Sequence, residues 1–118
     1  MRSNEELITE IYAAFNARDI DAVFARMRDD VDWPNGMEGG RVQSKDSVRE
    51  YWTRQWGMID PRVDPVHIED DGDGNIVVDV HQMVRDLSGK TLVDKTIQHV
   101  YSIRDGLVER MEIREEQL

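Results

Sequence analysis

The sequence predicts an α+β fold in which helices pack across one face of an antiparallel sheet. Three observations carry this. Apolar residues recur at helical spacing in the first half of the chain, alternate at strand spacing from Val63 onward, and fall into the order helix, helix, short strand, helix, then four strands. The last three strands form one stretch, residues 75 to 113, joined by two short turns.

Taken in order, Ser3-Asn4-Glu5-Glu6 has the S-x-x-E pattern of a capping box, in which Ser3 and Glu6 satisfy each other's free backbone donors. Leu7, Ile8, Ile11, Tyr12 and Phe15 then form one apolar stripe. Asn16-Ala17-Arg18 breaks the pattern and Asp19 caps a second helix with the stripe Ile20, Val23, Phe24 and Met27. Arg26 and Arg28 at its end suit the helix dipole. Val31-Asp32-Trp33 reads as a short strand ended by Pro34, and Asn35 to Gly40 as an irregular loop. Ser44 caps a third helix with the stripe Val48, Tyr51, Trp52 and Trp56, which stops at Gly57. Pro61 and Pro65 bracket an extended approach to a strand from about Val63 to Glu69.

Turn chemistry sets the register of the remaining strands. Asp105-Gly106 signals a two-residue hairpin, since both central residues of a type I′ turn need positive φ. Paired through that turn, Tyr101 lies opposite Arg110 and His99 opposite Glu112. Asp86 to Lys90 fits a three-residue loop with Gly89 left-handed, which places Asp79 opposite Ile97 and His81 opposite Lys95, on the face of His99 and Tyr101. A two-residue loop there moves Asp79 and His81 to the other face. With the first register, the apolar face of one strand (Ile76, Val78, Val80, Val84) and that of the next (Ile97, His99, Tyr101, Ile103) lie on opposite sides of the sheet. Helices on one side and a second subunit on the other would cover both, so a homodimer is expected.

At 118 residues the chain is one domain, residues 1–118. No segment approaches the roughly 20 apolar residues of a membrane span, and the charged start MRSNEEL lacks the apolar region of a signal peptide, so no membrane partner is expected. Zero cysteines exclude disulfide and thiolate chemistry and suit a cytoplasmic location. A formal net charge of −10 with no basic face argues against nucleic acid. The glycines at 36, 39 and 40 are not followed by the Lys-Ser/Thr of a phosphate loop. Glu69 to Asn75 matches the acid-x-acid-x-acid-Gly start of a calcium loop. Its twelfth position, however, is Val80 where a bidentate Glu is needed, and an exposed hairpin turn accounts for it better. A zinc site from His81, His99 and Glu112 lacks local ligand spacing. No metal and no cofactor are expected.

IYAAFNARDIDAVFARMRDDVDWPNG, SKDSVREYW and HVYSIRDGLVERMEI together resemble the nuclear transport factor 2-like superfamily, which includes SnoaL-like cyclases and ketosteroid isomerases. The resemblance covers nearly the whole chain. It implies a cone, a curved antiparallel sheet wrapped around a pocket and closed by three N-terminal helices, usually as a homodimer. Its ketosteroid isomerase chemistry does not transfer: the general-base Asp falls on Trp33, an oxyanion-hole Tyr falls near Ile11, and a protonated Asp donor falls on His99. The Arg and Asp that limonene epoxide hydrolases place two apart are here Arg85-Asp86, adjacent and facing opposite ways. The layout that SnoaL-like cyclases use, an acid and a His on neighbouring strands, is the nearest, with His99 and Asp79 or Glu112 in those roles.

The candidate catalytic residues are therefore His99, Glu112, Asp79 and Tyr101. His99 would transfer a proton, Glu112 or Asp79 would set its tautomer, and Tyr101 would donate to a carbonyl or enolate. The candidate pocket residues are Phe15, Asp32, Trp33, Tyr51, Trp52, Trp56, His81 and Met83, suited to a small, flat, apolar molecule. The expected function is cofactor-independent acid/base chemistry (isomerisation, cyclisation or dehydration) on a small apolar carbonyl compound. The rival is a non-catalytic ligand-binding or dimerisation module of the same fold.

Overall fold

The computed structural model describes residues 3–35 and 39–114. Three helices, α1 (Asn4–Asn16), α2 (Ile20–Phe24) and α3 (Lys45–Trp56), pack on a curved six-stranded sheet. Its strands are β1 (Met27–Pro34), β2 (Arg41–Gln43), β3 (Ile59–Asp70), β4 (Asn75–Asp86), β5 (Thr91–Arg104) and β6 (Leu107–Arg114), in the order β2-β1-β6-β5-β4-β3.

The helix starts follow the sequence. The Ser3 side chain accepts from the Glu6 N–H, that of Asp19 from Ala22 and that of Ser44 from Ser47, each satisfying a donor the helix cannot. α1 buries Leu7, Ile8, Ile11 and Tyr12. Its last residue, Asn16, clamps the edge of the sheet: Nδ2 donates to the Val63 carbonyl at 2.7 Å and Oδ1 accepts from the Val63 N–H at 3.0 Å. One side chain thus stands in for a missing neighbour of β3 and fixes α1 over the sheet.

Several expectations are corrected. α2 ends at Phe24, and Met27 and Arg28 open β1 rather than closing the helix. β1 pairs with β6 in parallel, so the sheet is mixed rather than wholly antiparallel, and the short strand β2, unforeseen in the sequence, pairs with the end of β1. β3 begins at Ile59 and carries both prolines, which an edge strand tolerates because one side of its ladder has no acceptor to serve.

The largest correction concerns register. The Asp105-Gly106 turn forms as expected, with φ of 54° and 77°, and Arg104 pairs with Leu107. A bulge then puts Ile103 opposite Val108 but Ser102 opposite Arg110, leaving Glu109 as the extra residue. Tyr101 therefore faces Met111 and His99 faces Ile113. In the other hairpin Gly89 is left-handed at φ 96° and Arg85 pairs with Thr91, but Leu92 is extra and Val84 pairs with Val93. Beyond it Val78 meets His99, Asp79 meets Gln98 and His81 meets Thr96. A third bulge, at Val66, interrupts β3 against β4.

Each one-residue slip exchanges the faces. Ile76, Val78 and Val80 consequently share one face with Ile97, His99 and Tyr101, and this single inner face meets the helices. The two oppositely directed apolar faces that motivated a second subunit do not exist. The hydrophobic core lies between the inner face and Ile8, Ile11, Val23, Phe24, Val48 and Trp52 of the helices. Glu69 to Asn75 is a hairpin turn between β3 and β4, tied by N–H groups of Gly72 and Asp73 donating to the carboxylates of Asp70 and Asp71.

Candidate functional site

Between α1, α3 and the inner face lies a cavity of about 310 Å³. Its walls are aromatic and aliphatic, formed by Phe15, Trp33, Tyr51, Trp52, Ile97 and Met111 among others. The rings brace one another. Trp52 lies edge-on to Phe15 at 5.2 Å and to Trp33 at 5.5 Å, and stacks on Phe24 at 5.3 Å.

The deep end is polar. β5 alternation points His99 and Tyr101 inward, and the apolar stripe of α1 brings Tyr12 down onto both. Tyr101 Oη donates to Tyr12 Oη at 2.9 Å, and Tyr12 Oη lies 2.7 Å from His99 Nδ1. With Tyr101 donating to Tyr12, the Tyr12 hydroxyl is available to donate to Nδ1, an arrangement in which His99 carries its own proton on Nε2. Its ring lines the cavity and is 6% exposed. Burial pushes the His99 pKa down to about 4 and drives both tyrosines above their ordinary value, with a further push on Tyr12 from Tyr101. At neutral pH the cluster is uncharged: three ring groups in a chain of hydrogen bonds.

Of the twelve side chains singled out in the sequence, Phe15, Trp33, Tyr51, Trp52, His99 and Tyr101 line this cavity. Trp56 packs against Phe15 and Trp52 and lines a neighbouring, more polar cleft with Arg18, whose guanidinium sits 5.0 Å from its ring. The others lie on the outer face, Asp79, His81, Met83 and Glu112 because of the bulges and Asp32 by alternation with its neighbour Trp33. Asp79 accepts from Gln98 at 2.9 Å, and His81 Nε2 lies 2.6 Å from Asp94. Glu112 accepts from Arg110, and Asp32 accepts from Arg110 at 2.7 Å and Arg41 at 2.6 Å. Met83 stands between Gln82 and Val84, both of which line the cavity, and so points away from it. Neither Glu112 nor Asp79 assists His99; Tyr12 holds its Nδ1 instead. Among the described residues no group of three or more His, Asp or Glu is placed to hold a metal ion.

Sequence reasoning missed Tyr12, Gln55, Gln82 and Lys95 as cavity residues. Tyr12 was within reach. The resemblance put a donor Tyr near Ile11, and Tyr12 is the next residue, on the same apolar stripe.

The SnoaL-like domain family matches residues 8–111. The chain is a SnoaL-like domain. No curated protein matches it. Among solved structures it is similar to TerC, co-crystallised with polyporic acid, at 29% identity over 96% of this chain and 91% of that one, with a TM-score of 0.83. It is also similar to a nuclear transport factor 2-like protein of unknown function from Burkholderia pseudomallei, at 27% identity, 98% and 92% coverage and a TM-score of 0.85. An LEH-like epoxide hydrolase from M. tuberculosis shares the fold at 17% identity, 93% and 80% coverage and a TM-score of 0.78. The expected superfamily and the α+β fold with a curved sheet and N-terminal helices are thereby shown. No helix among the described residues is long and apolar enough to cross a membrane.

Proposed function

We propose that this SnoaL-like domain binds a small, flat, largely apolar carbonyl compound in the cavity and stabilises the oxyanion that forms when its α-proton leaves. The observation that carries the reading is the buried chain Tyr101–Tyr12–His99 at the end of an otherwise apolar cavity. A neutral imidazole whose Nε2–H faces the ligand is a donor, and a low-dielectric site makes that donor count for more than in water. The low His99 pKa favours this role over that of a strong general base. No carboxylate lines the cavity among the described residues, so the α-proton passes to water or to a group on the substrate. Isomerisation, cyclisation and dehydration all proceed through such an oxyanion. The solved structure of TerC with polyporic acid supports a small-molecule ligand.

The test is α-hydrogen exchange of an enolisable aryl ketone, 2-tetralone, in deuterated buffer. The wild-type protein should accelerate exchange, and His99→Ala should lose about 10²- to 10³-fold of that acceleration. Undiminished exchange by a folded His99→Ala protein would remove His99 from the chemistry. The lack of a cavity carboxylate among the described residues favours a second reading, a binding module without turnover; binding of the ketone with exchange no faster than in buffer selects it.

The homodimer is part of the proposal, on a different footing from the sequence argument. Val77, Met83 and Val100 intersperse paired charges on the outer face, and Val100 is already nearly buried there. Light scattering at micromolar concentration should give twice the chain mass, and a monomer would reject it. A cytoplasmic setting is proposed from the absence of cysteine.

A further inference from the structure

We propose that the ligand of this cavity carries a neutral hydroxyl, phenolic or enolic, at the end remote from His99, and that the side-chain amide of Gln82 reads it. The inference rests on the ligand-site reading above and adds a second polar group and a length to the ligand.

The inner row of β4 runs Ile76, Val78, Val80, Gln82, Val84: four aliphatic residues and one amide. Gln82 is not where this row meets solvent. The next inner pair along the hairpin, Val84 with Val93, lines the cavity again, and Val84 is buried. The amide therefore interrupts an aliphatic wall, at a place where a valine or leucine would gain burial without desolvating polar atoms. Gln82 lines the cavity, is half-buried, and has its amide bonded by no group among the described residues. The two long polar side chains that share the wall with it are engaged. Lys95, opposite it on β5, already has a partner, and Gln55 Nε2 donates to Tyr51 Oη at 3.3 Å.

Register sets the distance. Val78 pairs with His99, and Gln82 lies four residues further along β4, about 13 Å of strand. Both side chains reach into the space between, so a ligand that meets both is on the order of 10 Å long. Its middle is apolar, since Ile97 lines the cavity between the two stations. A primary amide carries two donors and an acceptor, and a hydroxyl can use either kind. With Lys95 already partnered, a neutral group fits this station, and the net charge of −10 disfavours an anion.

The test compares 6-acetyl-2-naphthol, with a ketone at one end and a hydroxyl at the other, with 2-acetylnaphthalene, which lacks the hydroxyl. A buffer at pH 6.5 keeps the phenol neutral. Calorimetric titration should show the wild type binding the naphthol about 5-fold more tightly. Gln82→Met, which keeps the length and loses the amide, should abolish that gap by weakening the naphthol alone, and Gln55→Met should leave it intact. A thermal melt verifies that the variants fold, and the wild-type comparison needs no variant. If the wild type binds the two ketones equally, or the gap survives Gln82→Met, or it is lost in Gln55→Met instead, the Gln82 assignment is wrong while the ligand site stands. If neither compound binds, the ligand-site reading fails and this inference with it.

Discussion

The two faces of β4, β5 and β6 are built from alternate residues of the same strands, yet they handle polarity in opposite ways. The outer face gathers its acids and pairs them. Asp32 meets Arg41 and Arg110, Glu112 meets Arg110, and Asp94 meets His81. Most of these side chains stay partly in water, where an ion pair contributes about 0–1 kcal/mol. Among the described residues the inner face holds no carboxylate at the cavity, and its His99 and Tyr101 join Tyr12 of α1 in a chain of three uncharged polar rings. What this teaches is that charge alone does not mark a reactive site. A titratable group becomes useful when burial alters its protonation and leaves one atom facing an open volume.

The largest effect separating the faces should be on stability. Tyr101 is 1% exposed, fills the floor of the cavity and anchors Tyr12. Tyr101→Ala should cost about 3–5 kcal/mol, as large aromatic truncations in cores do. Chemical denaturation read by tryptophan fluorescence checks this. A loss under 1 kcal/mol would mean that the floor is much looser than its burial indicates.

A pH titration sharpens the contrast. Burial lowers the folded-state pKa of His99 to about 4 from 6.5. Between those values the unfolded chain binds the extra proton, so stability rises with pH across this window. The contribution is complete above pH 6.5 and is lost progressively as pH falls toward 4, amounting to about 3 kcal/mol. The exposed Asp71 and Asp86, whose pKa values are lowered chiefly by turn hydrogen bonds, act below that window. Denaturation midpoints at pH 7 and pH 5 should therefore differ clearly for the wild type and much less for His99→Gln. Equal slopes in the two proteins would show that His99 is not held neutral.

How much of this was legible is best seen at the bulges. Helix caps at Ser3, Asp19 and Ser44 and turns at Gly89 and Gly106 follow from local chemistry, which one or two residues specify. The extra residues Leu92 and Glu109 have no such signature. A bulge is decided by which side chains fit the curved core, and any residue can be the one left out. Yet each bulge exchanges the faces for every residue beyond it. That is why His99, Tyr101 and the aromatic walls were found, since their own bulk and apolar pattern mark them, while Asp79, His81 and Glu112 were assigned to the wrong face. The polar rim was missed for a different reason. Gln82 and Lys95 are ordinary surface residues in composition, and only the register places them beside the cavity.

A middle-sized effect is expected on the outer face itself. The Asp32 side chain is only about one-fifth exposed, at 18%, and takes hydrogen bonds from two arginines on different strands. Asp32→Asn should cost about 1–2 kcal/mol, since it weakens two charge-assisted bonds without emptying space. 2-Tetralone exchange should be unchanged. Altered exchange with unaltered stability would instead put Asp32 at the site.

The smallest effect should come from Glu112→Gln, and it tests the comparison most directly. Had the ladder run without its bulge, Glu112 would sit opposite His99, and its loss would destabilise the imidazolium. With Glu109 extra, Glu112 lies opposite Val100 on the outer face and, among the described residues, accepts only from Arg110, with 43% of its side chain exposed. Glu112→Gln keeps the shape and removes one partly exposed ion pair, so stability should change by no more than about 0.5 kcal/mol. The midpoint shift between pH 7 and pH 5 should match the wild type, because burial, and not a carboxylate, holds His99 neutral. A selective loss of 2-tetralone exchange in Glu112→Gln, with that pH shift also altered, would mean that the carboxylate reaches His99, and the separation of the two faces would fall.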